Sequence, residues 1–587
     1  MAPSELLVRD ESPFLRRKPL PDNTATETTA LLHGTTNDGG TTVSDQDPNS
    51  ANVVPLERHL SLFDLTIIGV GATIGSGLFV LCGFVAKTYA GPATALSWAI
   101  SGFAACTSGI CYAELSARVP AAGSTYAYAF VSMGELPALI AAACLSVEYI
   151  MTAAAVARSW AGKLIHYLVF KEDVTTAEDF SPSHLFGFSP LAFCVATACV
   201  LMLMGGIKES KTVSNVVTVT KVAVVFYMII GGFFFLRTQN WEPFIPPQYG
   251  IAGVFRGATA SFFGYIGYDD VACLAGEAKN PKRNLPLAIL GTLIFVTVVY
   301  TVSAFSLTGM QPYQDISSIS GFPAAFNYNN AGFSAQVTAL GELGTLPIVV
   351  LLLIMAQPRL LYALAEDGLV PHWFGVLDSR GNLWNSTVFA GTIMVFCATF
   401  IPFAHLNDMS SFAVLLALSM TDTSLVLLWY DSPKESPFLA DIIMLAFHGA
   451  CLIFGVSQTH FGHALAGKIV AGMAAIAMLS LTVCLVVRCE RNTVFGGQYR
   501  HPSSIVRGHN KEGNKEDNDG DDDDDNDGYF RTPWVPYLPC FAIFVNWYLI
   551  AQLHIIGIFG MLAFLGLTCL YYFLYAAQHS VGGQTRS

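Results

Sequence analysis

The feature that most constrains this chain is an apolar helix that is interrupted by glycines and occurs twice. The first copy, residues 65–79, reads LTIIGVGATIGSGLF, and the second, residues 260–271, reads ASFFGYIGYDDV. A glycine costs about 1 kcal/mol relative to alanine inside a helix, so clustered glycines mark points where a membrane helix unwinds. Unwound backbone at membrane depth is tolerated only inside protein or along a cavity. The sequence therefore predicts two breaks, residues 71–77 and residues 263–269, which face a cavity.

The composition is that of a polytopic membrane protein. Hydrophobic residues make up 53% and charged residues 12% of the 587 positions, whereas soluble domains carry about 25% charged residues. The net charge of −13 is concentrated in residues 511–527, which hold ten carboxylates and two lysines. Such a tract is typical of a solvated loop and indicates no basic ligand. The 13 cysteines have no metal-ligand spacing and predict no disulfide framework.

Fourteen segments are long and apolar enough to cross the hydrocarbon core, which takes about 20 residues. They are 62–88, 92–115, 136–168, 189–206, 213–236, 253–276, 286–308, 334–364, 385–404, 409–430, 438–457, 464–487, 535–553 and 556–577. Lysine and arginine are concentrated in the connections on one side, which places both chain ends in the cytosol. We therefore expect an all-α integral membrane protein with about 14 transmembrane helices.

These spans divide the chain into five regions. The polar N-terminal region has no apolar core of a secretory signal, and its composition predicts disorder. The regions are a cytosolic arm 1–58, a core with helices 11 and 12 in 59–488, an acidic cytosolic loop 489–533, a C-terminal helix pair 534–577 and a cytosolic tail 578–587.

The spacing of the two breaks indicates an internal repeat. The first break opens spans 1–5 and the second opens spans 6–10, and an odd number of spans inverts the second half relative to the first. Paired interruptions at matching places of two halves are typical of secondary transporters and point to the substrate site. Spans 11–14 lie outside this repeat.

The chemistry of the two breaks is complementary. Free amides at the start of a half-helix carry the positive end of the helix dipole and suit a carboxylate. Free carbonyls accept hydrogen bonds from an ammonium group. We expect the carboxylate at Thr73, Ile74, Gly75, Ser76 and Gly77, and the amine at the carbonyls of Phe263, Gly264 and Ile266. The alternative is a glycine-rich face for close helix packing.

Six ordered motifs, together with a late C-terminal segment, resemble the amino acid–polyamine–organocation superfamily and, within it, the cationic amino acid transporter subfamily. They are GATIGSGLFVLCG (71–83), AGPATALSW (90–98), CYAELSARVPAAGSTYAY (111–128), VEYIMTAAAVAR (147–158), GYDDVACLAGEAKNPKRNLP (267–286) and QPRLLYALAEDGLVP (357–371), and residues 533–553 are similar to the subfamily's extra helix pair. The resemblance covers about residues 55–575. It implies a LeuT-like 5+5 inverted repeat with four additional C-terminal helices, and amino acid transport by alternating access.

Lys221 lies in the middle of a predicted span, in VVTVTKVAVVFYMIIGG. A lysine at bilayer depth is costly unless it is paired or neutralised, and burial favours the neutral amine. Such a group is suited to load and release a proton. The residue also matches the fifth-helix lysine of proton-coupled bacterial relatives, so the resemblance implies a role in proton coupling. The alternative is a lysine that snorkels to the membrane surface.

Two carboxylates are further candidates. Glu148 lies within a span, and Asp269 follows the glycines of the second break. Each is expected to line the cavity or to take part in gating, with a structural hydrogen-bonding role as the alternative.

Leu353 is the expected selectivity residue on the eighth span. Cationic transporters of the family carry a small polar residue shortly before the element that matches Pro358-Arg359, and alignment places a bulky leucine there in this chain. This departure puts transport of arginine and lysine in doubt and makes a small or medium neutral amino acid at least as plausible a substrate.

The N-terminal arm contains a sorting pattern. Glu27 is followed after three positions by Leu31 and Leu32, which resembles an acidic dileucine signal read by a sorting adaptor. It favours a vacuolar or lysosomal membrane, with the plasma membrane as the alternative.

The sequence thus predicts a proton-coupled amino acid transporter. The alternatives are a facilitator or exchanger of arginine and lysine, or an amino acid sensor (transceptor) on the same fold. The chain has no catalytic triad, metal cluster or phosphate loop, so we expect no enzyme activity, cofactor, metal or nucleic acid partner.

Overall fold

The structure is a computed structural model that describes residues 16–18, 60–75, 77–119, 123–169, 187–205, 211–273, 278–378, 382–462, 464–492, 495–496 and 528–580. Its helices up to the middle of the chain are α1 (Leu62–Thr73), α2 (Cys82–Val85), α3 (Thr94–Arg118), α4 (Thr125–Ser132), α5 (Glu135–Val169), α6 (Pro190–Met204), α7 (Lys211–Phe233), α8 (Gly250–Phe262) and α9 (Asp270–Cys273). Two π-helical segments, Gly77–Leu81 and Ala86–Ala90, flank α2.

The later helices are α10 (Pro281–Met310), α11 (Gly321–Tyr328), α12 (Gly332–Glu366), α13 (Trp384–Phe400), α14 (Phe403–Trp429), α15 (Leu439–Phe461), α16 (Leu465–Arg488), α17 (Tyr537–Ile550), α18 (Ile555–Tyr571) and α19 (Ala577–His579). Two short strands, β1 (Tyr430–Asp431) and β2 (Glu490–Arg491), pair in an antiparallel manner. The described part of the chain is otherwise helical with short turns.

Eight helical stretches of the described residues are long and apolar enough to cross a membrane, and four shorter apolar helices accompany them. The first stretch, Leu62–Arg118, covers two of the predicted spans. The segment that contains α8 and α9 is a further predicted span, which its interruption divides into two short helices. The structure is therefore a multi-pass helical membrane protein, and the count of 14 spans remains a prediction.

Helix α14 forms the centre of the molecule. Its most apolar window is completely buried, and it packs against α3, α5 and α17.

The close approach of α3 and α10 depends on small residues. A Cβ atom added at Gly102 would lie 2.3 Å from the Thr297 side chain, and one at Gly109 would lie 2.3 Å from Leu293. Glycine thus allows the two backbones to approach, as is common in membrane helices.

The described part of the N-terminal arm binds the ends of three helical elements. Residues 16–18 carry three consecutive positive charges, and each one meets an acidic side chain near the end of a different helix. The pairs are Arg16 with Glu135 (3.8 Å), Arg17 with Asp441 (2.9 Å) and Lys18 with Asp367. The remaining residues of the predicted arm lie outside the described part of the chain.

The two ends of the acidic loop lie at the C-terminal ends of α14 and α3. The Asn492 amide donates to the Trp429 carbonyl at 2.9 Å, and the Gly496 amide donates to the Leu428 carbonyl at 3.0 Å. After the undescribed residues 497–527, the Thr532 amide donates to Glu114 Oε2 on α3 at 2.7 Å. The other oxygen of this carboxylate, Oε1, accepts from the Trp429 indole nitrogen at 3.1 Å. The loop therefore leaves and rejoins the same region of the molecule.

A buried ion pair joins α5 to α12. Lys163 Nζ lies 2.7 Å from Glu342 Oε2 and also donates to the Ile319 carbonyl at 2.8 Å. Removal of one partner leaves an uncompensated buried charge, which costs about 3–5 kcal/mol. We expect Lys163→Met and Glu342→Met each to lower the unfolding temperature of the detergent-purified protein. The double substitution is expected to recover most of the loss, and a double variant as unstable as the sum of the single variants would contradict this.

Candidate functional site

The first break interrupts the helix that begins with α1. Helix α1 ends at Thr73, Ile74 is extended with φ −73° and ψ 121°, and helical structure resumes at Gly77. Gly75 has φ +155°, a conformation that favours glycine. Ser76, one of the residues predicted to bind the carboxylate, lies outside the described residues. The break occurs where the glycines predict it.

The described side chains Thr73 and Ile74 of the first break have their neighbours within the protein. The Thr73 hydroxyl donates to the Gly69 carbonyl at 2.8 Å, one turn back in α1. Ile74 is almost completely buried. The first amides of a helix have no partner within it, so the main chain at this break is able to contact a ligand.

The second break follows α8. A 3-10 turn, Phe263–Tyr265, leads into Ile266, which is extended with φ −61° and ψ 138°. Gly267 has φ +108°, and α9 begins only at Asp270. The Gly267 amide donates to Asp269 Oδ1 at 3.3 Å, so the carboxylate of Asp269 supports the unwound backbone.

Two of the three carbonyls predicted to be free have a partner in the structure. The Phe263 carbonyl accepts from the Ile266 amide at 3.3 Å, because the 3-10 turn continues to that residue. The Gly264 carbonyl accepts from the Tyr300 hydroxyl at 3.1 Å. A carbonyl oxygen has two lone pairs, so each of these oxygens retains capacity for one further donor.

The two breaks are in direct contact. A Cβ atom added at Gly77 would lie 2.5 Å from the Gly264 Cα atom, and one at Gly264 would lie 3.0 Å from the Gly77 Cα atom. Only glycine at both positions allows this approach. The start of the second half-helix therefore lies against the carbonyl-rich turn of the second break.

Tyr300, on α10, connects the breaks and was not identified from the sequence. Its buried hydroxyl lies 2.8 Å from the Thr73 carbonyl and 3.1 Å from that of Gly264. Its ring lies 4.5 Å from the Trp98 ring and 5.7 Å from the Tyr265 ring, between centroids. The available signal was a tyrosine in the middle of an apolar span, whose buried hydroxyl requires a hydrogen-bond partner.

Lys221 lies beside the first break. Its side chain is 1% exposed, and its amine donates to the Gly71 carbonyl at 2.6 Å. A Cβ atom at Gly75 would be 3.7 Å from the amine. The side chain thus points inward and does not snorkel to the surface in this structure.

The other predicted site residues have different neighbours. Leu353 and Glu148 are buried on α12 and α5. The α12 residue closest to Gly75 is Val349, which lies one turn before Leu353. Its Cγ2 atom would lie 3.1 Å from a Cβ atom added at Gly75. The sequence alignment did not identify Val349. The sorting residues Glu27, Leu31 and Leu32 lie outside the described residues.

Comparison with known proteins identifies the family of this chain. Residues 60–487 match the amino acid permease family, and residues 530–580 match the family's C-terminal region. The chain is 33% identical to the methylthioribose transporter of Bacillus subtilis over 410 residues, which cover 68% of this chain and 88% of the relative. It is 30% identical to the vacuolar cationic amino acid transporter 4 of Arabidopsis thaliana over 566 residues, which cover 90% and 93%.

A third relative is the branched-chain amino acid permease BcaP of Bacillus subtilis, 31% identical over 386 residues that cover 64% of this chain and 82% of the relative. These proteins are membrane permeases and not enzymes. The family model alone spans most of the chain, from α1 to the end of α16. This chain belongs to the amino acid permease family, within the amino acid–polyamine–organocation superfamily.

Proposed function

We propose that this protein is a secondary active transporter that moves amino acids across a membrane by alternating access. The observation that carries the proposal is the contact of two helix breaks at Gly77 and Gly264. One break offers the amides of a helix start, and the other offers carbonyl oxygens. Together they suit the carboxylate and the ammonium group that all amino acids share.

The architecture that we propose for this activity is two inverted repeats of five spans, followed by four C-terminal spans. The two breaks would then be equivalent positions of the repeats. Paired broken helices at the midplane are typical of transporters built in this way. The same arrangement allows one repeat to move against the other around a fixed site.

Lys221 is proposed to couple transport to protons. Its buried amine bonds the Gly71 carbonyl, close to the start of the first break. A charged amine is a stronger donor than a neutral one, so protonation would hold α1 in its present position. Glu148 and Asp269 are proposed to line the cavity or to take part in gating.

The substrate is proposed to be a neutral amino acid. Val349, the α12 residue beside Gly75, and Leu353, one turn later, are both apolar, which disfavours a charged substrate side chain. Relatives are named for cationic amino acids, branched-chain amino acids and methylthioribose. Facilitated diffusion or exchange of arginine and lysine is the alternative that the cationic relatives favour.

The proposed location is a vacuolar or lysosomal membrane, with a sorting adaptor bound at Glu27, Leu31 and Leu32. Two of the similar Arabidopsis thaliana transporters are named vacuolar, whereas another is named mitochondrial. Replacing Leu31 and Leu32 with alanine is expected to move a fluorescent fusion to the plasma membrane. An unchanged vacuolar or lysosomal signal would contradict the role of this motif.

Uptake by purified protein in liposomes tests the proposed function. The panel consists of labelled leucine, alanine, lysine, arginine and methylthioribose, each with and without an inward proton gradient. We expect leucine or alanine to accumulate only with the gradient. Binding without flux would favour a sensor, and lysine or arginine flux without gradient dependence would favour the facilitator.

A further inference from the structure

The Tyr300 hydroxyl lies between the two breaks and bonds both of them. It is 2.8 Å from the Thr73 carbonyl at the first break and 3.1 Å from the Gly264 carbonyl at the second. A phenol has a single hydrogen to donate. One hydrogen therefore serves two acceptors that belong to separate parts of the chain.

The position of this hydroxyl is fixed by its surroundings. Tyr300 is completely buried, and its ring packs against the rings of Trp98 and Tyr265. The Tyr265 hydroxyl donates to the Trp98 carbonyl at 2.9 Å, which ties this aromatic cluster to α3. Since packed aromatic rings have few rotamers available, the hydroxyl oxygen is a rigid reference point for both carbonyls.

The hydroxyl also lies at the contact between the half-helices. A Cβ atom added at Gly77 would be 2.8 Å from the Tyr300 hydroxyl oxygen, in addition to its clash with Gly264. The hydroxyl, the Gly77 backbone and the Gly264 backbone thus form one contact. The separation of the two breaks cannot change without breaking at least one of the bonds to Tyr300.

We propose that Tyr300 is a positioning residue that sets the separation between the carboxylate end and the ammonium end of the site. It thereby selects α-amino acids over β-amino acids. An α-amino acid has one carbon between its carboxylate and its amine, and a β-amino acid has two. Because the two ends of the site are held at a fixed distance by the Tyr300 hydroxyl oxygen, they fit the distance between carboxylate and amine of only one of these two classes. The inference rests on the proposed function, since it assigns the two breaks to the two ends of the substrate.

The Gly264 bond is the weaker of the two, since it is longer. The Gly264 carbonyl has a second lone pair, so a substrate ammonium can donate to it while the Tyr300 hydroxyl keeps its bond. Both breaks then stay tied to the same hydroxyl oxygen while the substrate is bound. Substrate binding therefore does not require loss of either Tyr300 hydrogen bond.

The test uses Tyr300→Phe, which removes the hydroxyl and keeps the ring. Tyr571→Phe is the matched control, because it removes a tyrosine hydroxyl on α18 that donates to the Leu369 carbonyl at 3.0 Å and bonds neither break. The measurement is inhibition of the uptake of a labelled amino acid by unlabelled competitors. The competitors are two isomer pairs, leucine with β-leucine and lysine with β-lysine. In Tyr300→Phe we expect the preference for the α-isomer to fall at least tenfold. In Tyr571→Phe this preference should stay within twofold of the wild type.

A general loss of stability would weaken the binding of both isomers equally. The ratio of α-isomer to β-isomer affinity therefore distinguishes a positioning role from a folding defect. If Tyr300→Phe is folded but inactive, binding is measured instead. The measured quantity is the rise in unfolding temperature that each isomer causes in the detergent-purified protein. An unchanged ratio in folded Tyr300→Phe overturns the inference. So does a wild type that takes both isomers equally well, even if the variant does not fold. A wild type that moves no amino acid overturns the proposed function itself.

Discussion

Replacement of Gly77 with alanine is expected to reduce amino acid uptake in liposomes to less than a tenth of the wild-type rate. The added methyl carbon would lie 2.5 Å from the Gly264 Cα atom and 2.8 Å from the Tyr300 hydroxyl oxygen. The first of these neighbours is backbone, so relief requires the two half-helices to separate. Overpacking of this kind typically costs 1–3 kcal/mol, and separation would also spoil the alignment of the two ends of the site.

Gly291→Ala is the matched control for this substitution. Gly291 lies on α10, and a Cβ atom added there meets nothing within 4 Å. We expect wild-type uptake from this variant, because alanine is the better helix former. Size-exclusion chromatography of both proteins checks folding. Wild-type uptake by a correctly folded Gly77→Ala protein would refute the proposed contact between the breaks.

The second large effect is expected for Lys221→Ala. This variant should lose accumulation driven by a pH gradient while it retains exchange of internal for external amino acid. The lost group is the buried amine that donates to the Gly71 carbonyl at 2.6 Å. Without it, the position of α1 no longer responds to protonation, but the two breaks that contact the substrate remain. The measurement is uptake with and without the gradient, together with counterflow of labelled substrate.

Lys468→Ala serves as the control, since Lys468 is an exposed lysine on α16. Its removal changes the net charge by the same amount without affecting a buried amine. We expect its gradient dependence to equal that of the wild type. If Lys221→Ala shows the same gradient dependence as Lys468→Ala, Lys221 has no role in coupling.

The predicted positions of the breaks followed from local properties of the chain. Glycine lacks the side chain that disfavours positive φ values, and the structure has Gly75 and Gly267 in such conformations. The apolar length of the spans likewise follows from the thickness of the bilayer. These features depend on neighbours in sequence, so one sequence was sufficient to predict them.

The partners of the freed carbonyls could not be predicted in the same way. Tyr300 is separated by 227 positions from Thr73 and by 36 from Gly264. Many polar side chains of the chain are chemically able to donate to these oxygens. Only the packing of α10 against α3 places this one hydroxyl between the breaks. Val349 likewise could not be identified from the sequence, because only the packing of α12 places it beside Gly75.

The sequence by itself determined the membrane class, the helical spans and the two places at which helices unwind, because hydrophobicity and glycine content act on the local backbone. Only the tertiary structure decided that the breaks meet at Gly77 and Gly264, that Tyr300 bonds both and that Lys221 bonds the end of α1. These contacts join residues far apart in the chain, and a buried hydrogen bond forms only where packing brings its donor and acceptor within about 3 Å.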